Sequence, residues 1–185
     1  MRTWQPARLP TILLAIAALA LGTGCGEHPG SAAPPAGTAT ATSPDPRAAE
    51  ARQAALAVYA GYLEALRRAE SAGDPHDPQL AKYLADPLLT RVRLTIRDAK
   101  EHGAMRTGKL VSDPTVTEVS LDTVPATVTI QDCLDTTGYR LVYRKDRSVV
   151  PGSAGGRYLA TATVTRYPDG RWLINEGAVH KGQPC

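Results

Sequence analysis

Apolar positions follow one rhythm before Gly103 and another after it. In "RAAEARQAALAVYAGYLEALRRAE", Leu56, Tyr59, Leu63 and Leu66 recur at steps of three or four, one stripe along an amphipathic helix. Asp45-Pro46 offers an N-cap followed by proline at the first helical position. Arg67, Arg68 and Glu70 end the segment, and Gly73 stops it. A second, shorter helix is expected from Asp77-Pro78, with Leu80, Tyr83 and Leu84 on one face. Asp86-Pro87 interrupts it and restarts the pattern as "LLTRVRLTIRDAKEHG", with Leu89, Val92 and Ile96 inward. Lys100 and His102 sit in the last turn, where cations complement the helix dipole, and Gly103 caps it.

After Gly103 the period shortens to two. The segments "KLVSDPTVTEVSLD", "VPATVTIQDCLD", "GYRLVYRK" and "GRYLATATVTRYPDGRWLINEGAVH" are rich in Val, Thr, Tyr and Ile. Val124, Ala126, Val128 and Ile130 alternate with Pro125, Thr127, Thr129 and Gln131, and Tyr158, Ala160, Ala162 and Val164 alternate with Leu159, Thr161, Thr163 and Thr165. Pro168-Asp169-Gly170 is a tight turn between two such runs, a hairpin signal. Ser148 to Gly156 is a longer connection between strands. Helices first and strands second predict an α+β domain, with helices on one face of an antiparallel sheet.

The N-terminus has a different character. "MRTWQPARLP" carries Arg2 and Arg8 and no acid, and Thr11 to Leu21 is an unbroken apolar run. A basic start, a short apolar stretch and small residues after it read as an export signal. The run is shorter than the roughly 20 residues of a membrane span. It ends at Thr23-Gly24-Cys25, which resembles the lipobox of bacterial lipoproteins, with Gly22 where Leu or Val is usual and Leu21 one place early. The resemblance implies cleavage before Cys25, acylation of that cysteine and anchorage on the extracytoplasmic face of the cell membrane. One acyl chain binds a membrane marginally, whereas two or more anchor it stably. Residues 1–24 are then the signal peptide. Residues 25–45 are the acylated cysteine and a Pro/Ala/Thr/Gly tether without apolar periodicity. Residues 46–185 are the folded domain.

Charge and cysteine usage change with that processing. Of 21 basic side chains, losing Arg2 and Arg8 leaves 19 against 18 acidic ones. No basic cluster suited to nucleic acid is present. With Cys25 acylated, Cys133 and Cys185 remain, an even count that suggests a disulfide in an oxidising compartment. The alternative is two free thiols, which lack a C-x-x-C spacing.

A long first helix, a helical pair around "YLADPLL" and a meander ending "DGRWLI" together resemble the NTF2-like (cystatin-like, SnoaL-type) fold over residues 47–182. The closer likeness is to exported lipoproteins of actinobacterial type, and a chain without phenylalanine suits a high-GC genome. The resemblance implies N-terminal helices packed on a curved antiparallel sheet, a cone with a cavity between them. Tyr59, Tyr62 and Trp172 are the binding-pocket candidates. Some enzymes of the family pair an Asp with a His for proton transfer, which makes Asp132 and His180 weak catalytic candidates. Asp132 and Asp135 equally suit a strand end and the turn to Gly138. No H-E-x-x-H, phosphate-binding loop or G-x-S-x-G occurs, so no metal site and no cofactor are expected.

Three functions follow as expectations. The first is a lipid-anchored binding or assembly module without clear catalytic residues, whose partners are envelope proteins or a small apolar ligand. The second is a cofactor-free SnoaL-type isomerase or dehydratase using Asp132 and His180. The third is an accessory subunit of an envelope complex, including a homodimer through the sheet face.

Overall fold

The helical rhythm becomes α1 (Pro46–Ala72), α2 (Leu80–Tyr83) and α3 (Leu88–Glu101) in a computed structural model that describes residues 45–185. The predicted signal peptide, Cys25 and all but the last residue of the predicted tether lie outside the described residues. Asp45 caps α1 as expected, its carboxylate accepting the Arg47 backbone N–H at 2.9 Å. Gly73 closes the helix at φ +65°, and a side chain there would meet the Arg144 guanidinium. The position favours glycine for its left-handed backbone, while the Arg144 guanidinium, the far end of a flexible side chain, could move aside.

Alanine dominates the most deeply buried face of α1. Ala51, Ala55, Tyr59, Ala65 and Ala69 are buried, whereas Leu56, Leu63 and Leu66 pack at the margins of the core. Small side chains let the helix axis lie close to its neighbours. The second helix is shorter than expected. Asp77 instead holds a turn, its carboxylate accepting the Gln79 N–H at 2.8 Å and the Arg68 guanidinium Nε at 2.8 Å. In α3, Leu88, Leu89, Val92 and Ile96 turn inward.

Six strands follow: β1 (Ala104–Gly108), β2 (Pro114–Ser120), β3 (Thr127–Asp135), β4 (Tyr139–Tyr143), β5 (Arg157–Arg166) and β6 (Trp172–Pro184). All named pairings are antiparallel: a four-stranded sheet in the order β2-β3-β5-β6 and a ribbon of β1 with β4. A bridge between Val111 and Asp135 links the β1–β2 connection to the end of β3. Val128 and Ile130 on β3, Ala162 and Val164 on β5 and Ile174 on β6 meet the three helices in one core. Leu84 bridges to Ile174, so the α2–α3 connection runs beside the β6 edge.

Two details depart from the alternation in the sequence. Val124 and Ala126 precede the ladder, which starts at Thr127, and Val124 is fully exposed. Proline at 125 has no N–H to give a ladder, which fits its place outside the strand. In β6, Asn175 is an extra residue between Ile174 and Glu176 opposite Val164 and Thr163. Leu173 and Ile174 are both buried, as are their partners Thr165 and Val164, so both faces of the sheet are covered at this end.

Candidate functional site

Asp132 lies on the inner face of β3, between Ile130 and Leu134, and is 2% exposed. Three groups donate to its carboxylate. Tyr59 Oη of α1 reaches Oδ2 at 2.9 Å, Ser112 Oγ reaches the same oxygen at 2.7 Å, and the Asp113 backbone N–H reaches Oδ1 at 2.6 Å. The carboxylate thus ties α1, β3 and the β1–β2 connection at one point. Burial and the Asp132 charge both push the Tyr59 phenol well above its ordinary range. Tyr59 also lines an open groove of about 470 Å³ between α1 and that connection.

His180 is elsewhere. It pairs with Leu159 on β5, in the row that contains Cys133, whereas Asp132 pairs with Ala160. Adjacent residues on a strand point to opposite faces. His180 Nε2 contacts Thr161 Oγ1 at 3.0 Å on the outer face. The structure does not bring Asp132 and His180 together. Asp135 plays the turn role, accepting both the backbone N–H and the hydroxyl of Thr137, and these bonds hold its carboxyl below the usual range. Cys133 and Cys185 form a disulfide with a Cα–Cα distance of 5.8 Å, which fixes the end of β6 to β3 across β5.

The residues most suited to meeting a ligand are ones the sequence pattern passed over. Glu70, at the end of α1, has a side chain only 10% exposed. Tyr139 of β4 donates its hydroxyl to Glu70 Oε2 at 2.6 Å. The Arg106 guanidinium of β1 stands 3.4 Å from Oε1 and 5.6 Å from the Tyr139 ring centroid. Burial pushes the Glu70 carboxyl up, while the Tyr139 hydroxyl and the Arg106 charge oppose that shift. Burial and the Glu70 charge raise the Tyr139 phenol in turn.

Glu70 and Arg106 stand in the shared wall of two cavities. One, of about 330 Å³, is bounded by α3 on one side and by β1, β4 and Val150 on the other. The second, of about 190 Å³, opens toward Leu134, Tyr139 and Tyr158. Burial, followed by the Glu70 charge, also raises the Tyr62 phenol. Tyr62 and Trp172 pack against the core and line neither of these cavities.

One signal for Glu70 was in the sequence: it continues the Tyr59, Leu63, Leu66 stripe four residues on, a carboxylate where an apolar residue is due. Arg106 and Tyr139 carried no such mark. The outer sheet face carries Thr115, Gln131 and Thr161 in one register row and Thr129 and Thr163 in the next. Among the described residues no three His, Cys, Asp or Glu side chains cluster as metal ligands would. Nor is any described helix long and apolar enough to cross a membrane.

The fold defines the class: an α+β domain, three helices packed on one face of an antiparallel sheet. No protein-family model matches the sequence, and comparison with curated proteins finds no match. Among solved structures, the chain is similar to the intermembrane-space region of the chloroplast protein ARC6. That likeness has 16% identity and a TM-score of 0.52 and covers 69% of this chain and 95% of that one. A ketosteroid isomerase-like protein from Erwinia carotovora atroseptica gives 13% identity and a TM-score of 0.46, over 70% and 95% of the two chains.

Proposed function

We propose that this chain is a lipoprotein of the bacterial envelope, acylated at Cys25 after loss of residues 1–24. Residues 46–185 are then displayed on the extracytoplasmic side of the membrane as a binding or assembly module. The observation that carries the compartment is the Cys133–Cys185 disulfide, since such bonds persist in oxidising environments outside the cytosol. The apolar run ending at Thr23-Gly24-Cys25 agrees with it.

Binding is favoured over catalysis by what the polar side chains already do. Asp132 is occupied by three structural donors, and His180 stands on the opposite sheet face. Proton transfer between them has no path through a common cavity. Two of the polar groups that face a cavity, Glu70 and Arg106, form an oppositely charged pair, an arrangement suited to holding a ligand. Replacing Cys25 with Ser should move the protein from the membrane fraction to the soluble one. Unchanged membrane association would refute the anchoring.

A further inference from the structure

The floor of the larger cavity has an unusual polar balance. Its walls are apolar: Ile96 and Ala99 of α3, Ala104 of β1, Leu141 of β4 and Val150. At its base Glu70 uses one carboxylate oxygen, Oε2, for the Tyr139 hydroxyl. Among the described residues, Oε1 accepts no hydrogen bond, and the Arg106 guanidinium donates none; the two meet only as an ion pair at 3.4 Å. A carboxylate whose side chain is nine-tenths buried and a one-third exposed guanidinium therefore lie side by side with hydrogen-bonding capacity to spare, both bordering the cavity and both within reach of its solvent.

A ligand seated in the cavity would displace the water from both groups and must offer them hydrogen bonds in its place. Their charges select the partner. An anion would meet Glu70 at close range, and a cation would meet Arg106. The rim repeats the balance, with Asp98 Oδ1 3.5 Å from His102 Nδ1. A neutral head group avoids both repulsions and can serve both residues, taking an Arg106 N–H on its oxygen and giving its own proton to Glu70 Oε1. Both bonds are charge-assisted, the stronger kind. The volume of about 330 Å³ is near the lower end of the 300–1,000 Å³ range of ligand pockets.

We propose that this cavity binds a small neutral molecule with an apolar body and one head group that both donates and accepts a hydrogen bond, an alcohol or a carboxamide. The proposal deepens the binding-module reading and can fail separately from it. Retention of the Cys25→Ser protein in membranes would refute anchoring and leave the cavity untouched.

The test titrates the full chain carrying Cys25→Ser with five probes on one aromatic body: benzamide, benzyl alcohol, toluene, benzoate and benzylammonium. Two-dimensional NMR follows the backbone amides. Benzamide and benzyl alcohol should give saturable shifts at Ala104, Arg106 and Leu141. Each should bind at least about 10-fold tighter than the other three probes, the worth of a hydrogen bond to a charged group. Glu70→Gln should weaken that binding by about 10-fold. Ala99→Met, which adds volume from a half-buried helix position, should abolish it while leaving Glu70 in place. Absence of saturable shifts overturns the proposal. So does toluene binding as tightly as benzamide, preference for a charged probe, or binding that survives Ala99→Met.

Discussion

Removing the Asp132 carboxylate should unfold the domain more easily, and by a predictable order of magnitude. The side chain is 2% exposed and accepts from Tyr59, Ser112 and the Asp113 backbone. Asp132→Ala strands all three donors. A donor left unsatisfied in the interior costs about 1–3 kcal/mol. Ser112 is only part-buried and Tyr59 borders an open groove, so water can repair some of the loss. The net expectation is about 3–5 kcal/mol, a large part of the roughly 5–15 kcal/mol that holds a domain together. Tyr59→Phe removes one donor, leaves two, and should cost about 1.5–3 kcal/mol. Urea unfolding followed by far-ultraviolet circular dichroism reads both changes as shifts in midpoint at constant slope. The double variant should cost less than the sum of the singles, because both delete one interaction. A group kept for chemistry often costs stability, so its removal tends to stabilise. An Asp132→Ala protein as stable as the parent, or more stable, would refute the structural role and restore Asp132 as a functional candidate.

Two further outcomes follow from the same structure. Changing Cys133 and Cys185 together to Ser opens a loop with a sequence separation of 52, and the chain-entropy model puts the loss at roughly 4 kcal/mol; an unchanged urea midpoint would contradict it. The Arg68 hydrogen bond, followed in smaller measure by the Gln79 backbone N–H, holds the Asp77 carboxyl below its ordinary value. A carboxyl lowered by folding stabilises above its unfolded pKa, near 4, and loses that contribution as pH falls through the folded value. Asp77→Asn should therefore melt earlier than the parent at pH 7, with the gap closing at acid pH, and a gap independent of pH would show that Asp77 acts only as a turn former.

Local signals made the first and third helices, β5 and the Tyr167–Arg171 turn legible. Asp45 caps its helix within two residues, and the Tyr167 N–H donates to the Arg171 carbonyl at 2.8 Å around Gly170. The parts that escaped depend on distant partners. β1 reads "AMRTG", short and without alternation, and it is a strand because Ala104 to Gly108 pair with Tyr143 to Tyr139. No window of sequence around Gly103 contains that partner. The alanine face of α1 was hidden for a related reason: Ala55 and Ala69 are wholly buried, yet the leucines drew the eye as the apolar stripe. Which side of an amphipathic helix is deepest depends on how closely it approaches the sheet, and small residues permit the closest approach. The Asp132 node was half legible, since a lone acid in an inward strand position stands out. Its three donors come from separate elements and have no sequence mark.

The unread strand β1 and the unread site have one cause. Arg106 belongs to β1 and Tyr139 to β4, and only their antiparallel pairing brings both beside Glu70 at the end of α1. Without β1, Glu70 reads as a solvated helix end and Arg106 as a loop cation. With it, the Asp132 and Glu70 carboxylates divide by how fully their oxygens are engaged. Asp132 accepts three donors through two oxygens and serves to hold elements together. Glu70 keeps one oxygen without a hydrogen bond, beside a guanidinium in the same condition, at the base of an apolar cavity. The free side of that oxygen faces the cavity, where a ligand's donor can reach it, whereas the Asp132 oxygens are already taken by the protein's own donors. That contrast, more than the cavity's size, is why the ligand site belongs between α3 and the ribbon and not on the sheet face beside Tyr59.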